Sequence, residues 1–232
     1  MKLSAEVVAG FSASLLQRNY DGAVESPECH MEWWELCCSK HPKVAIAAPR
    51  RHAKSTAITG AYVLASILFR DRSYVIVLSD TITQATQFLG DIKRELVDNE
   101  KIVSLFGITG FEKDTEDDVI VNFADGHQVR ISAKGSEQKM RGLKWKNKRP
   151  DLIVGDDLEN DEIVLNKDRR EKFKRWFYGA LIPCLSSNGV IRVVGTILHE
   201  DSLLSNLMPS VWHKHTKVTP LKIFSTDAHM PW

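Results

Sequence analysis

Residues 44–56 read Val44-Ala45-Ile46-Ala47-Ala48-Pro49-Arg50-Arg51-His52-Ala53-Lys54-Ser55-Thr56. The first five are apolar and strand-like, and from Thr56 to Phe69 the chain reads as a helix. A strand, a tight loop and Lys-Ser at a helix start present backbone N–H groups and a helix N-terminus to a phosphate. The usual phosphate-binding loop, G-x-x-x-x-G-K-[ST], has two framing glycines, and here Ala48 and Ala53 take their places. Alanine resists the positive φ that glycine adopts freely. A basic loop ahead of a helix can also be purely structural. If this loop binds ATP, it does so through Pro49, Arg50, Arg51, His52, Ala53, Lys54, Ser55 and Thr56, with Lys54 on the β- and γ-phosphates and Ser55 as a Mg2+ ligand. Arg50 and Arg51 put two positive charges beside the nucleotide, enough for one to act as an arginine finger in cis.

About a hundred residues on, Asp151-Leu152-Ile153-Val154-Gly155-Asp156-Asp157 forms a second apolar run ending in paired carboxylates. The two segments together read as Walker A and Walker B. Asp156 is the expected holder of the magnesium shell and Asp157 the base that orients the attacking water, with Glu159 a competing candidate. Glu159, Asp161 and Glu162 could instead make this a solvated acidic turn. Against that, Leu152-Ile153-Val154 puts Asp156 just past a buried strand, at the edge where α/β sheets bind ligands. A further run, Val190-Ile191-Arg192-Val193-Val194, ends in Gly195-Thr196 at the same edge. A threonine there can sense the γ-phosphate or relay hydrolysis, and a strand-ending turn explains the dipeptide equally.

At 232 residues the chain suffices for one large α/β domain, or one with an appendage. It is 43% hydrophobic and 26% charged, an ordinary globular composition, and its net charge of +1 names no partner. Cys29, Cys37, Cys38 and Cys184 are too few and too clustered for a disulfide scaffold, and with His30 and His41 they match no common zinc spacing, so they read as reduced thiols. No run approaches the ~20 apolar residues that span a bilayer, and the N-terminus lacks the apolar core of a signal peptide. No membrane partner is expected.

The remaining organisation is α/β. Residues 1–43 read as an N-terminal helical segment packing on the core, broken around Gly22 to Pro27, with Trp33 and Trp34 either in the core or beside an adenine. Tyr74–Leu78 is a strand buried on both faces. Thr83–Val97 is a helix capped from Ser79-Asp80-Thr81, and Ala124-Asp125-Gly126-His127 is a hairpin turn between two strands. Lys167–Leu181 is an amphipathic helix closed by Pro183. Alternating strands and helices predict a three-layer fold around a mostly parallel central sheet, with the core over 44–220. Residues 134–149 carry seven positive charges against Glu137 alone, with Trp145 interleaved. Lys139, Lys144 and Lys146 in such a flexible loop suit DNA or a neighbouring subunit, although a charge run can equally be a solvated loop.

Taken in order, His30-x-Glu32-Trp33, the Ala48–Thr56 loop, Arg141-Gly142, Arg149 to Glu159 and Val194-Gly195-Thr196 resemble the large terminase subunit of tailed phages, over about His30 to Leu204. The resemblance implies a P-loop NTPase of the ASCE type that hydrolyses ATP with Mg2+ to drive double-stranded DNA into a procapsid. It implies the portal protein and the small terminase subunit as partners, and a homo-oligomeric ring on the portal with a monomer possible in isolation. It also implies a place in the host cytoplasm and not in the mature virion. Arg50 matches the family's arginine four residues before the lysine, Gly195-Thr196 its coupling motif, and Arg141-Gly142 a loop that offers an arginine to the adjacent subunit. Ala53 in place of glycine and Asp157 in place of glutamate are the departures. Residues 221–232 then start a linker toward the family's nuclease half, and no nuclease activity is expected in this chain. The alternatives are a helicase-like translocase or repair ATPase, and a degenerate nucleotide-binding assembly module without turnover.

Overall fold

The computed structural model describes residues 3–16 and 26–208, and the backbone of 222–225. Helix α1 (Ala5–Phe11) is capped by Ser4, whose hydroxyl accepts from the Val7 N–H, and continues into a π-helical turn, Ser12–Leu16. Helix α2 (Glu28–Cys38) precedes strand β1 (Lys43–Ala47). After the loop a π-helical segment, Thr56–Tyr62, leads directly into α3 (Val63–Leu68). Strand β2 (Tyr74–Ser79) is followed by α4 (Ile82–Asp98), which Thr81 caps by accepting from the Gln84 N–H. Helix α5 (Glu100–Phe106) and strands β3 (Ile108–Asp114), β4 (Asp118–Phe123) and β5 (Gln128–Gly135) form an antiparallel extension. Strand β6 (Leu152–Asp156), helices α6 (Asp161–Leu165) and α7 (Lys167–Trp176), strand β7 (Val190–Gly195), helix α8 (Leu203–Leu207) and strand β8 (Lys222–Ser225) complete the described chain.

The eight described strands make one sheet in the order β3-β4-β5-β2-β6-β7-β1-β8, parallel from β5 to β8. Its alternating side chains divide the core in two. Val44, Ile46, Val75, Val77 and Val154 face α1 to α5. Ala45, Ala47, Ile76, Leu78, Ile153 and Val193 face α6, α7 and α8 through Ile163, Phe173 and Leu204. Such two-sided burial is why these strands read as unbroken apolar runs. The result is the expected three-layer α/β fold.

Arg192 on β7 is only 1% exposed and has no carboxylate partner among the described residues. Its guanidinium donates to the carbonyls of Cys37, His41, Pro42 and Ile191 at 2.9–3.4 Å. A cation against the carbonyl end of α2 is favourably placed, and it ties that helix to the sheet.

Some boundaries differ from expectation. The Lys167–Leu181 helix is α-helical to Trp176, then a π turn over Phe177–Leu181, then a 3-10 turn around Pro183. Helix α5 and strand β3 were not expected. The Lys222–Ser225 strand pairs with β1, so the sheet continues past residue 220, the expected end of the core. Most of the break expected at Gly22 to Pro27 lies outside the described residues, as do 209–221 and 226–232.

Candidate nucleotide site at the sheet edge

Parallel register brings three strand ends to one edge. Ala47 pairs with Gly195, and Asp156 with Val194. Beyond the strands, the Ala48 N–H donates to the Gly195 carbonyl and the Asp157 N–H to the Val194 carbonyl, each at 2.9 Å. The start of the Lys-Ser loop, the carboxylate pair and Gly195-Thr196 are thus stitched together by backbone. Gly195 is needed for this approach: a Cβ there would meet Asp157 Oδ1 at 3.1 Å and Leu204 Cδ2 at 3.3 Å.

The two lost glycines are not equivalent. Ala53 adopts the left-handed conformation, φ +50°, and Arg51 does too, at φ +68°. Ala48 has no positive φ, so alanine is unstrained there. A left-handed alanine costs on the order of 1 kcal/mol, and the surrounding contacts hold it. His30 of α2 is buried, and burial pushes its pKa down, so the ring is neutral. Its Nε2 faces the His52 carbonyl at 2.9 Å and must be the donor, because a carbonyl only accepts. His52 Nδ1 donates in the same way to the Arg50 carbonyl at 3.0 Å. The Trp34 indole N–H donates to the Ala57 carbonyl at 2.8 Å, where the π-helical segment begins. Trp33 and Trp34 are 0% and 1% exposed and sit in the core.

Asp156 is wholly buried. Burial pushes its carboxyl up to about 6, against the opposing pull of the Thr59 and Ser55 hydroxyls. Thr59 Oγ1 donates to Oδ2 at 2.6 Å, and Ser79 Oγ donates to the Asp156 main-chain carbonyl at 2.9 Å. Ser55 lies near the carboxylate without a hydrogen bond of standard geometry, so Oδ1 is buried with no partner among the described residues. A buried carboxylate oxygen lacking a donor, beside a serine hydroxyl, suits a hard cation that prefers oxygen ligands. Ser55 and Asp156 are the residues that could hold such an ion.

Lys54 is 9% exposed, and its ammonium lies 3.0 Å from Asp157 Oδ2 and 3.4 Å from Thr196 Oγ1. The other Asp157 oxygen accepts from the Thr196 N–H at 3.1 Å, and the Thr196 hydroxyl donates to the Ala48 carbonyl at 3.1 Å. Asp157 itself has φ +44°. A lysine at the helix start after β1 and an aspartate and threonine past the ends of β6 and β7 thus form one cluster. Beside it opens a cleft of about 390 Å³ lined by Arg50, Ser55, Gln84, Asp157, Glu159 and Thr196 among others. Glu159 lines the cleft, but its Oε1 and Oε2 accept from the Leu203 and Leu204 N–H groups at 2.7 and 3.1 Å. Both Glu159 oxygens therefore serve the start of α8, while those of Asp157 are held by the Lys54 ammonium and the Thr196 N–H, so each carboxylate is engaged as it stands.

Arg141 is exposed and lies on the opposite helical layer, donating to the Gly179 carbonyl at 3.4 Å. It is not among the residues lining the cleft. The loop that carries it is pinned at several points, unlike the flexible loop expected. Met140 is 1% exposed, and the Trp145 ring packs edge-on against Tyr74 with centroids 6.2 Å apart. Trp145 and Lys148 exchange backbone hydrogen bonds, and Trp176 Nε1 donates to the Gln138 carbonyl at 3.0 Å. Lys139, Lys144 and Lys146 remain on the surface of this framework, Lys146 also bonding Gln128.

One strand, β7, lies between β1, which leads into the Lys-Ser loop, and β6, which ends in Asp156, and all three end at the same edge. Together with the Lys-Ser loop this defines a P-loop NTPase fold of the ASCE type. Among solved structures the chain resembles the ATPase domain of the Thermus phage P74-26 large terminase, at 16% identity over 80% of this chain and 67% of that one, with TM-score 0.56. It also resembles the HK97 bacteriophage large terminase, at 12% identity over 87% of this chain and 40% of that one, with TM-score 0.57. The fold is that of phage large terminase ATPase domains. No family model matches the sequence, and no curated protein does. Sequence reasoning placed Lys54 and Ser55 at a helix start after the first strand, and Asp156, Asp157 and Thr196 at strand ends. It missed Thr59 and Ser79, which approach Asp156 only through tertiary packing.

Proposed function

We propose that this chain is the ATPase motor domain of a phage large terminase, hydrolysing ATP with Mg2+ to translocate double-stranded DNA into a procapsid. The observation that carries the reading is the cluster of Lys54, Asp157 and Thr196 beside the buried Asp156, on a fold shared with terminase ATPase domains. On binding ATP, Lys54 leaves Asp157 for the phosphates, to which the loop N–H groups also donate. That exchange frees Asp157 Oδ2 to orient and deprotonate the attacking water. Ser55 and Asp156 would hold magnesium, which when bound would neutralise charge on the phosphate oxygens. Thr196, bonded to both Lys54 and the Ala48 carbonyl, registers the exchange and passes it along β7. Arg50, exposed at the cleft, is the arginine available in cis. Arg141, away from its own cleft, is available to a neighbouring subunit in a ring, and the Lys139, Lys144 and Lys146 face to DNA or that neighbour. The partners on this reading are the portal protein and the small terminase subunit, in the host cytoplasm.

Phosphate release in Mg2+ tests this, comparing wild type with Lys54→Ala. Loss of a positioned phosphate ligand predicts a fall on the order of 100-fold or more, and equal rates would refute the assignment. A second reading, a nucleotide-binding assembly module without turnover, draws on the Lys54–Asp157 pair, which occupies both groups at once. It predicts ATP binding by calorimetry with no phosphate release.

A further inference from the structure

Thr59 lies four residues beyond Ser55, in the π-helical segment that follows the loop, and is 1% exposed. A buried threonine in a helix commonly bonds the carbonyl four residues earlier. Ser66 in the next helix does so, donating to the Tyr62 carbonyl at 2.7 Å. Thr59 instead spends its one hydroxyl proton on Asp156 Oδ2 at 2.6 Å, a short charge-assisted bond. With Ser79 holding the main-chain carbonyl of Asp156, the residue is fixed at two points and only Oδ1 is left without a donor among the described residues. The π geometry is consistent with this task, since such widened turns gather at functional sites. Trp34 braces one side of the widened segment at Ala57 and the Thr59 bond braces the other.

We propose that Thr59 is a positioning residue for magnesium: it occupies Oδ2 of Asp156 and orients the carboxylate so that Oδ1 is the oxygen offered to the ion held with Ser55. The proposal rests on the nucleotide–magnesium reading above and deepens it by adding a residue behind the ligands. Partners behind metal ligands fix ligand orientation, and their loss typically costs ~10–100-fold in metal affinity. A bond that merely staples helix to sheet would cost stability and leave the metal untouched.

The test is ADP binding, followed by calorimetry across a magnesium series and in EDTA, for wild type, Thr59→Val, Thr59→Ala and Thr59→Ser, with the melting temperature of each in EDTA. Thr59→Val and Thr59→Ala are expected to raise the magnesium concentration at half-effect about 10-fold. Their ADP affinity in EDTA should stay within roughly twofold of wild type, because the phosphates are held by the loop and not by Thr59. Thr59→Ser, which keeps the hydroxyl, should restore wild-type magnesium dependence. Adding Thr59→Ala to Asp156→Asn should change nothing further in that dependence, since the oriented group is already altered. A folded Thr59→Ala protein with the wild-type magnesium response overturns the proposal. Wild-type ADP binding that is tight but indifferent to magnesium overturns the magnesium site itself, an outcome read from the wild type alone.

Discussion

Asp156 must carry its charge where water cannot reach it. Its carboxyl moves from the ordinary value of 3.8 to about 6, which at ~1.4 kcal/mol per tenfold is on the order of 3 kcal/mol against the metal-free folded state. Because the folded pKa is raised, protonation stabilises the fold at low pH, and that contribution is lost as pH rises through about 6. Asp156→Asn should therefore raise the melting temperature in EDTA at pH 8, and the gain should shrink toward pH 4. A gain that grows at low pH would contradict this assignment. Asp157 has two successive jobs on the same reading. Asp157→Asn removes the half-exposed carboxylate that pairs with the mostly buried Lys54, a pair worth up to ~1 kcal/mol, so nucleotide should bind up to about fivefold tighter. Loss of the base should lower turnover by about 100-fold or more, and calorimetry with phosphate release would separate the two effects. At this scale the sequence was only partly legible. Lys54 and Asp156 stand out by spacing, whereas nothing local marks which lost glycine matters. The left-handed φ falls on Ala53 because of contacts such as His30 to the His52 carbonyl, from a helix more than twenty residues earlier.

Strands β1, β2, β6 and β7 were readable because each is buried on both faces and so is mainly apolar, Arg192 being the exception within β7. Strand β3 was not, because it is a half-exposed edge with two register shifts against β4 and no clean alternation. Helix α5 is short, ends at left-handed Gly107 and buries only Ile102. The basic loop shows the same limit from the other side: its charges were plain, but its anchoring by Met140 and Trp145 depends on the distant Tyr74 and Trp176. Trp145→Ala should release that anchor. Hydrogen exchange at the Trp145 and Lys148 amides, which pair with each other, should speed up by an order of magnitude or more, with ADP affinity unchanged. Unchanged exchange would mean that the backbone turn holds itself without the ring.

Among the described residues, the cleft at the sheet edge and the basic loop are separated, with acidic residues at one and lysines at the other. A net charge near zero concealed this division. If the loop meets DNA phosphates, replacing Lys139, Lys144 and Lys146 by alanine should reduce the slope of log affinity against log salt by about 0.9 for each phosphate that a lysine had neutralised. An unchanged slope would assign these lysines to a neighbouring subunit or to solvent. The layered fold was legible because strand and helix patterns alternate along the chain, while the insertion of β7 between β1 and β6 had to be seen. Function on this reading turns on one exchange: ATP and magnesium bind by taking Lys54 from Asp157. A crystal structure with ADP, beryllium fluoride and Mg2+ observes that exchange directly. Lys54 should then lie on the phosphate mimic, the ion between Ser55 and Asp156, and Asp157 beside the water. An intact Lys54–Asp157 pair, with nucleotide absent or bound elsewhere, would contradict it.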